Sequence, residues 1–176
     1  DLESFEYLYP DNIIGDEDNR NQVYDTTYYP WSTIAKIHGN FGTNTFDCTG
    51  WMLGPSTVVT AAHCIYNYFP YQTFASNVTV TPALDSDAAI SEPFGVCEAH
   101  TAWIISAWRT TGNRMYDYGA YYLRCRAGEQ TGLLGYRVMD DAELSDQSVN
   151  VAGYPLEAGD PLVTGGTTMW FGLGNI

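Results

Sequence analysis

An all-β fold, a sandwich or a barrel, is what this sequence predicts, on three observations. Its patterned segments are short, they are bounded by turn-forming residues, and the clearest of them alternates polar and apolar side chains with the two-residue period of a strand. Seventeen glycines and eight prolines among 176 residues supply the frequent turns that such a chain needs. Brief, turn-bounded segments favour stacked or closed sheets over helix packing.

Taken in order, residues 33–38 (Thr-Ile-Ala-Lys-Ile-His) alternate and read as a strand, and residues 49–53 read as the next. Gly54-Pro55-Ser56 is a turn before a third strand at 57–60. Residues 61–65 form a single helical turn. Residues 77–81 are a strand, 82–93 an acidic loop, 99–107 a segment carrying Trp103-Ile104-Ile105, and 118–123 a further strand. Residues 149–155 read as a strand ending in a turn at Gly153-Tyr154-Pro155. There is no internal repeat and no low-complexity segment.

Composition sets the class. Hydrophobic residues make up 45% of the chain and aromatics 15%, including 14 tyrosines and 5 tryptophans, which is the profile of a folded protein. The length suits one domain. Twenty-one acidic residues against seven basic ones give a formal charge of -14. That balance repels phosphate backbones and anionic lipid, so nucleic-acid and membrane-surface partners are not expected. It reads as solubility, with steering of basic substrates as the sharper alternative. No run of eighteen apolar residues is present to span a bilayer. Asp1-Leu2-Glu3-Ser4 does not begin a basic region followed by an apolar stretch, so any signal peptide is expected to be already removed or never part of this chain.

Four cysteines, Cys48, Cys64, Cys97 and Cys125, allow three disulfide connectivities, and composition does not choose among them. They lack the paired Cys-x-x-Cys spacing of a zinc site, so structural disulfides, each worth about 2–4 kcal/mol, are the better reading. Disulfides imply an oxidising compartment and hence a secreted protein. Asn77-Val78-Thr79 is the one N-glycosylation sequon, which makes Asn77 a candidate acceptor in a eukaryotic secretory pathway.

The most specific signal is Cys48-Thr49-Gly50-Trp51 running into Thr60-Ala61-Ala62-His63-Cys64. It sets a histidine beside a cysteine directly after an apolar, strand-like segment. A histidine takes a proton from a hydroxyl only when its ring is held in one orientation and one tautomer, which calls for a rigid backbone and a carboxylate partner. Asp117, in Tyr116-Asp117-Tyr118-Gly119-Ala120, is the candidate carboxylate. At these residues the chain resembles a chymotrypsin-fold, trypsin-like serine endopeptidase. More narrowly, CTGWMLGPSTVVTAAHC, DYGAYYLRC and VAGYP are similar to the secreted glutamyl endopeptidases.

The resemblance implies a double β-barrel, with the first barrel and the start of the second in this chain and residues 132–136 opening the second. It implies the disulfides Cys48 to Cys64 and Cys97 to Cys125. It implies that His63 is the general base toward a serine and then the general acid toward the leaving amine, and that Asp117 orients it. Residues 13–20 resemble the start of a mature glutamyl endopeptidase. Residues 1–12 then become a propeptide or an N-terminal arm, with an extra strand or a surface strap as the plain structural alternative, and residues 13–176 the protease domain without its C-terminal third.

No cofactor is implied, and a polypeptide is the expected substrate. The nucleophile itself is unknown. In this family it lies in a Gly-x-Ser-Gly turn, and none of the nine serines (Ser4, Ser32, Ser56, Ser76, Ser86, Ser91, Ser106, Ser145 and Ser148) has that context. The expectation is therefore a serine supplied by a downstream segment or a second polypeptide, leaving this chain inactive alone. A pseudoprotease that keeps the fold for binding or scaffolding is the alternative. His38 and His100 are assigned ordinary structural roles. No His-Glu-x-x-His motif is present, and the acidic runs at 16–18 and 140–143 lack EF-hand spacing, so they read as solvated loops and no metal is expected.

Overall fold

The computed structural model describes residues 20–145, 147–156 and 165–175. Six antiparallel strands close a barrel: β2 (Ile34–Phe41), β3 (Asn44–Gly54), β4 (Thr57–Thr60), β7 (Ser76–Pro82), β8 (Cys97–Ile104) and β9 (Gly119–Leu123). Their order around the barrel is β2-β3-β4-β9-β8-β7, with β7 returning to β2. Closure removes the exposed edges that an open sheet of this size would carry. A small hairpin, β5 (Tyr66–Asn67) with β6 (Thr73–Phe74), leaves the barrel between β4 and β7. A second sheet of β1 (Asn21–Gln22), β11 (Trp170–Asn175) and β10 (Ser148–Gly153) lies beside it.

The barrel interior is filled by one side-chain set per strand, as the two-residue period requires. Ala35 and Ile37 of β2, Met52 of β3, Val58 of β4, Val78 and Val80 of β7, and Tyr121 and Leu123 of β9 form one buried cluster with Ile65. Cys48 is joined to Cys64 and Cys97 to Cys125, with Cα separations of 6.3 and 5.8 Å. The first bridge ties the turn after β4 to β3, and the second ties the start of β8 to the chain just past β9.

Alternation along β2 places Lys36 on the outer face, yet its side chain is buried. The second sheet and its neighbours cover that face, and the Lys36 Nζ lies against Gly166 and 3.2 Å from Asp47 Oδ1. Desolvation lowers the Lys36 pKa, and the Asp47 carboxylate opposes that shift. The contact between sheets is completed by Val23, Tyr154 and Met169, with the Trp31 and Phe171 rings 5.0 Å apart.

Three stretches differ from the sequence expectation. The segment expected at 99–107 divides: β8 ends at Ile104, and α1 (Ser106–Thr111) follows and stops at Gly112, whose φ of 63° is the left-handed cap a glycine accepts without strain. The acidic run at 140–143 is not a plain loop, because Asp140 caps the short helix α3 (Asp141–Leu144) in a reciprocal capping box with Glu143. Residues 132–136, expected to open a second barrel, form no strand. They continue from α2 (Gly128–Thr131) as a connector held to the first barrel by Leu134 N–H on the Met52 carbonyl at 2.9 Å. The acidic run at 16–18 and residues 1–12, expected as a propeptide or an N-terminal arm, lie outside the described residues.

Candidate active site

The site stands at one end of the β4–β9 pair. These strands run antiparallel with Val58 opposite Tyr121, Val59 opposite Ala120 and Thr60 opposite Gly119. Past Thr60 the chain makes the 3-10 turn Ala62–Cys64, and before Gly119 it makes a 3-10 turn at Arg114–Tyr116. Strand pairing therefore delivers His63 and Asp117 to the same end of the barrel from opposite chain directions. Position 119 admits no larger residue without movement. A Cβ there would stand 2.6 Å from the Trp103 carbonyl oxygen and 2.7 Å from Ile65 Cδ1.

Two contacts join the pair. His63 Nδ1 lies 2.7 Å from Asp117 Oδ2, and the His63 backbone N–H donates to Asp117 Oδ1 at 2.7 Å. Each carboxylate oxygen is thus assigned one partner on the same residue, which fixes the imidazole both in rotation and in position. With Nδ1–H donating to the carboxylate, Nε2 is left as the proton acceptor. The imidazole side chain is 58% exposed and the carboxylate 20%. The acceptor nitrogen therefore faces accessible space while its orienting partner is largely shielded, which keeps the charged hydrogen bond short.

The turn bearing His63 is held from three further directions. Cys64 carries the disulfide to β3. Tyr121 Oη–H donates to the Cys64 carbonyl at 2.7 Å from within the barrel, and Trp108 Nε1–H donates to the Tyr66 carbonyl at 2.9 Å. Neither tether, nor the backbone half of the His63–Asp117 contact, is legible in the sequence. The one available signal is the inward alternation of Gly119, Tyr121 and Leu123, which marks Tyr121 as an interior residue whose hydroxyl needs a partner.

The other sequence candidates lie apart from this pair. His38 is exposed on β2, and its Nδ1 lies 2.9 Å from Asp47 Oδ1. His100 is exposed at an irregularity of the β8–β9 ladder. Asn77 is exposed on β7, with φ of 51°, beside the β2–β7 register shift. Such a conformation suits asparagine better than most side chains. Among the described residues, no serine hydroxyl hydrogen-bonds to His63. Cys48, His63 and Cys64 do bring three potential metal donors within 4.8 Å of one another. Both sulfurs are in the disulfide, however, and a disulfide offers no thiolate to a metal.

The Trypsin family profile matches residues 18–164. The chain is 39% identical over 144 residues to a glutamyl endopeptidase of Bacillus licheniformis, covering 82% of this chain and 42% of that protein. It is 30% identical over 152 residues to an extracellular metalloprotease of Bacillus subtilis, covering 85% of this chain and 47% of that one. The chain thus spans less than half the length of these curated relatives. Among solved structures, a Glu endopeptidase in complex with MPD superposes with a TM-score of 0.76 and 25% identity, over 92% of this chain and 69% of that one. The protease Anisep from Arthrobacter nicotinovorans superposes with a TM-score of 0.71 at 22% identity, over 88% of this chain and 66% of that one, a likeness of fold. From its sequence profile, its relatives and its closed six-stranded barrel, the chain belongs to the Trypsin family.

Proposed function

We propose that this chain supplies the general base and its orienting carboxylate to a secreted serine endopeptidase, with the nucleophilic serine on a segment outside these 176 residues. The observation that carries the reading is the 2.7 Å contact between His63 Nδ1 and Asp117 Oδ2 on an imidazole that remains accessible. In the reaction, Nε2 of His63 takes the proton from the serine hydroxyl as its oxygen bonds to the scissile carbonyl carbon. The imidazolium so formed is stabilised by Asp117. It then gives that proton to the departing amine as the carbon–nitrogen bond breaks. The substrate class is a polypeptide, and cleavage at glutamate is the specificity suggested by the name of the Bacillus licheniformis relative. Residues 1–12 act as an arm or propeptide ahead of the protease domain.

The word metalloprotease in the name of the Bacillus subtilis relative does not redirect this reading. The sulfurs beside His63 are committed to a disulfide, and its Nδ1 is committed to Asp117.

The test compares the 176-residue chain with a longer form carrying the downstream segment. The longer form is expected to hydrolyse peptides and to react with a serine-directed phosphonylating probe, whereas the chain alone does neither. His63→Ala abolishes both reactions in the longer form, and Asp117→Asn lowers kcat by about 10⁴-fold through the wrong tautomer. Labelling of the chain alone, lost in His63→Ala, would place the nucleophile among its nine serines. Silence of the longer form with both residues intact would leave a binding role for the fold.

A further inference from the structure

We infer that Tyr121 and Trp108 are positioning residues that hold the His63 turn against the Asp117 segment. The β4–β9 ladder ends at Thr60 opposite Gly119, so both His63 and Asp117 lie beyond the last strand pair: pairing brings them to one end of the barrel but does not by itself fix their final contact. A contact of 2.7 Å tolerates a displacement of only a few tenths of an ångström before the hydrogen bond weakens. Something other than the ladder must supply that tolerance.

Residues 63, 64 and 66 are each bound to the segment that carries Asp117. The His63 N–H goes to Asp117 itself, the Cys64 carbonyl takes the Tyr121 hydroxyl, and the Tyr66 carbonyl takes the Trp108 indole N–H. The three contacts come from before, at and after Asp117 in the chain. A shift of either segment relative to the other therefore has to break at least one of them. The Cys64 carbonyl closes a 3-10 turn and has no partner within that turn, as is usual for carbonyls at helix ends.

Tyr121 is 3% exposed and sits in the apolar cluster of the barrel, where phenylalanine would fill nearly the same volume. A hydroxyl in that setting is costly unless it is bonded. Its one described partner is the Cys64 carbonyl, next to His63. Trp108 is 7% exposed and belongs to α1, the element leading toward Asp117. Its ring lies 6.4 Å from that of Tyr68, whose edge also covers Gly112, so the hairpin after His63 and the helix before Asp117 close on one another.

The importance of this arrangement rests on His63 and Asp117 being the catalytic pair, but its test does not require catalysis. In the 176-residue chain, hydrogen exchange of the His63 amide and the low-field proton resonance of its Nδ1–H are compared among the parent, Tyr121→Phe and Trp108→Phe. The expected result is His63 amide exchange faster by about tenfold or more in each variant, with a weakened Nδ1–H resonance. The amide of Ile37, buried in the same barrel, is expected to change only in step with global unfolding. In a form that carries the nucleophile, kcat falls while KM is retained. Variants that lose thermal stability but keep the parent His63 amide exchange and Nδ1–H resonance would overturn the inference, since simple packing partners would behave that way. Tyr121→Phe removes only a hydroxyl, and it decides the matter if Trp108→Phe does not fold. Faster exchange at His63 with no hydrolysis by any form would uphold the tethers and refute the endopeptidase reading instead.

Discussion

Gly119→Ala perturbs the site through the scaffold and leaves every group of the His63–Asp117 pair chemically unchanged. The added Cβ would meet the Trp103 carbonyl oxygen at 2.6 Å, Ile65 Cδ1 at 2.7 Å and Ile104 Cγ2 at 2.9 Å. The first of these is backbone and cannot rotate away. Close carbon–oxygen approaches in sheets run at about 3.3 Å or more, so β8 and β9 must part by roughly 0.7 Å from the 2.6 Å starting point. Asp117 immediately precedes this strand, and an equal displacement stretches its 2.7 Å contact with His63 Nδ1 to roughly 3.4 Å, beyond the working range of about 2.6–3.2 Å. Overpacking of this kind costs about 1–3 kcal/mol, and the upper half of the range is expected because backbone has to move. In urea unfolding, with a slope of about 2 kcal/mol per molar, the midpoint should fall by about 1 M or more. Proton spectra of the same sample should show the His63 Nδ1–H resonance weakened or lost. A stability change under about 0.5 kcal/mol together with an unchanged resonance would refute the claim that close approach at position 119 sets the geometry of the pair.

Burial raises the pKa of both Tyr121 and Tyr154 well above the ordinary tyrosine value. The unfolded chain then releases these protons first, so their contribution is intact below about pH 10 and is lost as pH rises from there toward the folded values, at about 1.4 kcal/mol per pH unit for each group. Alkaline unfolding followed by circular dichroism should therefore begin near pH 10, and Tyr121→Phe or Tyr154→Phe should flatten its slope. Lys36, lowered by desolvation, acts with the opposite sign and in an earlier window: its buried charge costs stability at low pH, and that cost is relieved as pH rises through its lowered value toward its ordinary 10.5, where the tyrosine loss is only beginning. Reduction of the two disulfides, which close sequence separations of 16 and 28 residues, should cost about 3 kcal/mol each. Thermal unfolding with and without reductant measures it, and Cys48→Ser with Cys64→Ser should disturb the His63 resonance more than the Cys97 and Cys125 pair of changes does.

Much of the barrel was legible in the chain because strand signals are local. The alternation at 33–38, the turn at Gly54-Pro55-Ser56 and the strand at 57–60 needed only neighbouring side chains to be read, and β2, β3 and β4 stand at or around those residues. The helical turn at His63 and the carboxylate at Asp117 were visible for the same reason, through short motifs of contiguous residues. The helix α1 and the connector at 132–136 were not, since each depends on where the chain must go next and not on its own periodicity. The cap on α3 is a different case: Asp140 and Glu143 form a local capping box, and reading that run only as acidic and solvated passed it over.

The sequence by itself determined the class of the fold and named His63 and Asp117, because both follow from patterns spanning a few residues. Only the tertiary structure decided how those two residues meet. The separation of 54 positions between them is closed by the β4–β9 register, and the final placement is made by contacts no periodicity encodes: the His63 amide on Asp117, the Tyr121 hydroxyl on Cys64 and the Trp108 indole on Tyr66. The same holds for Lys36, polar on an outward position and yet buried, because a second sheet that the pattern of β2 cannot announce lies against it. Local pattern reports which face of a strand is apolar, while burial and hydrogen-bond geometry depend on which distant segment covers that face.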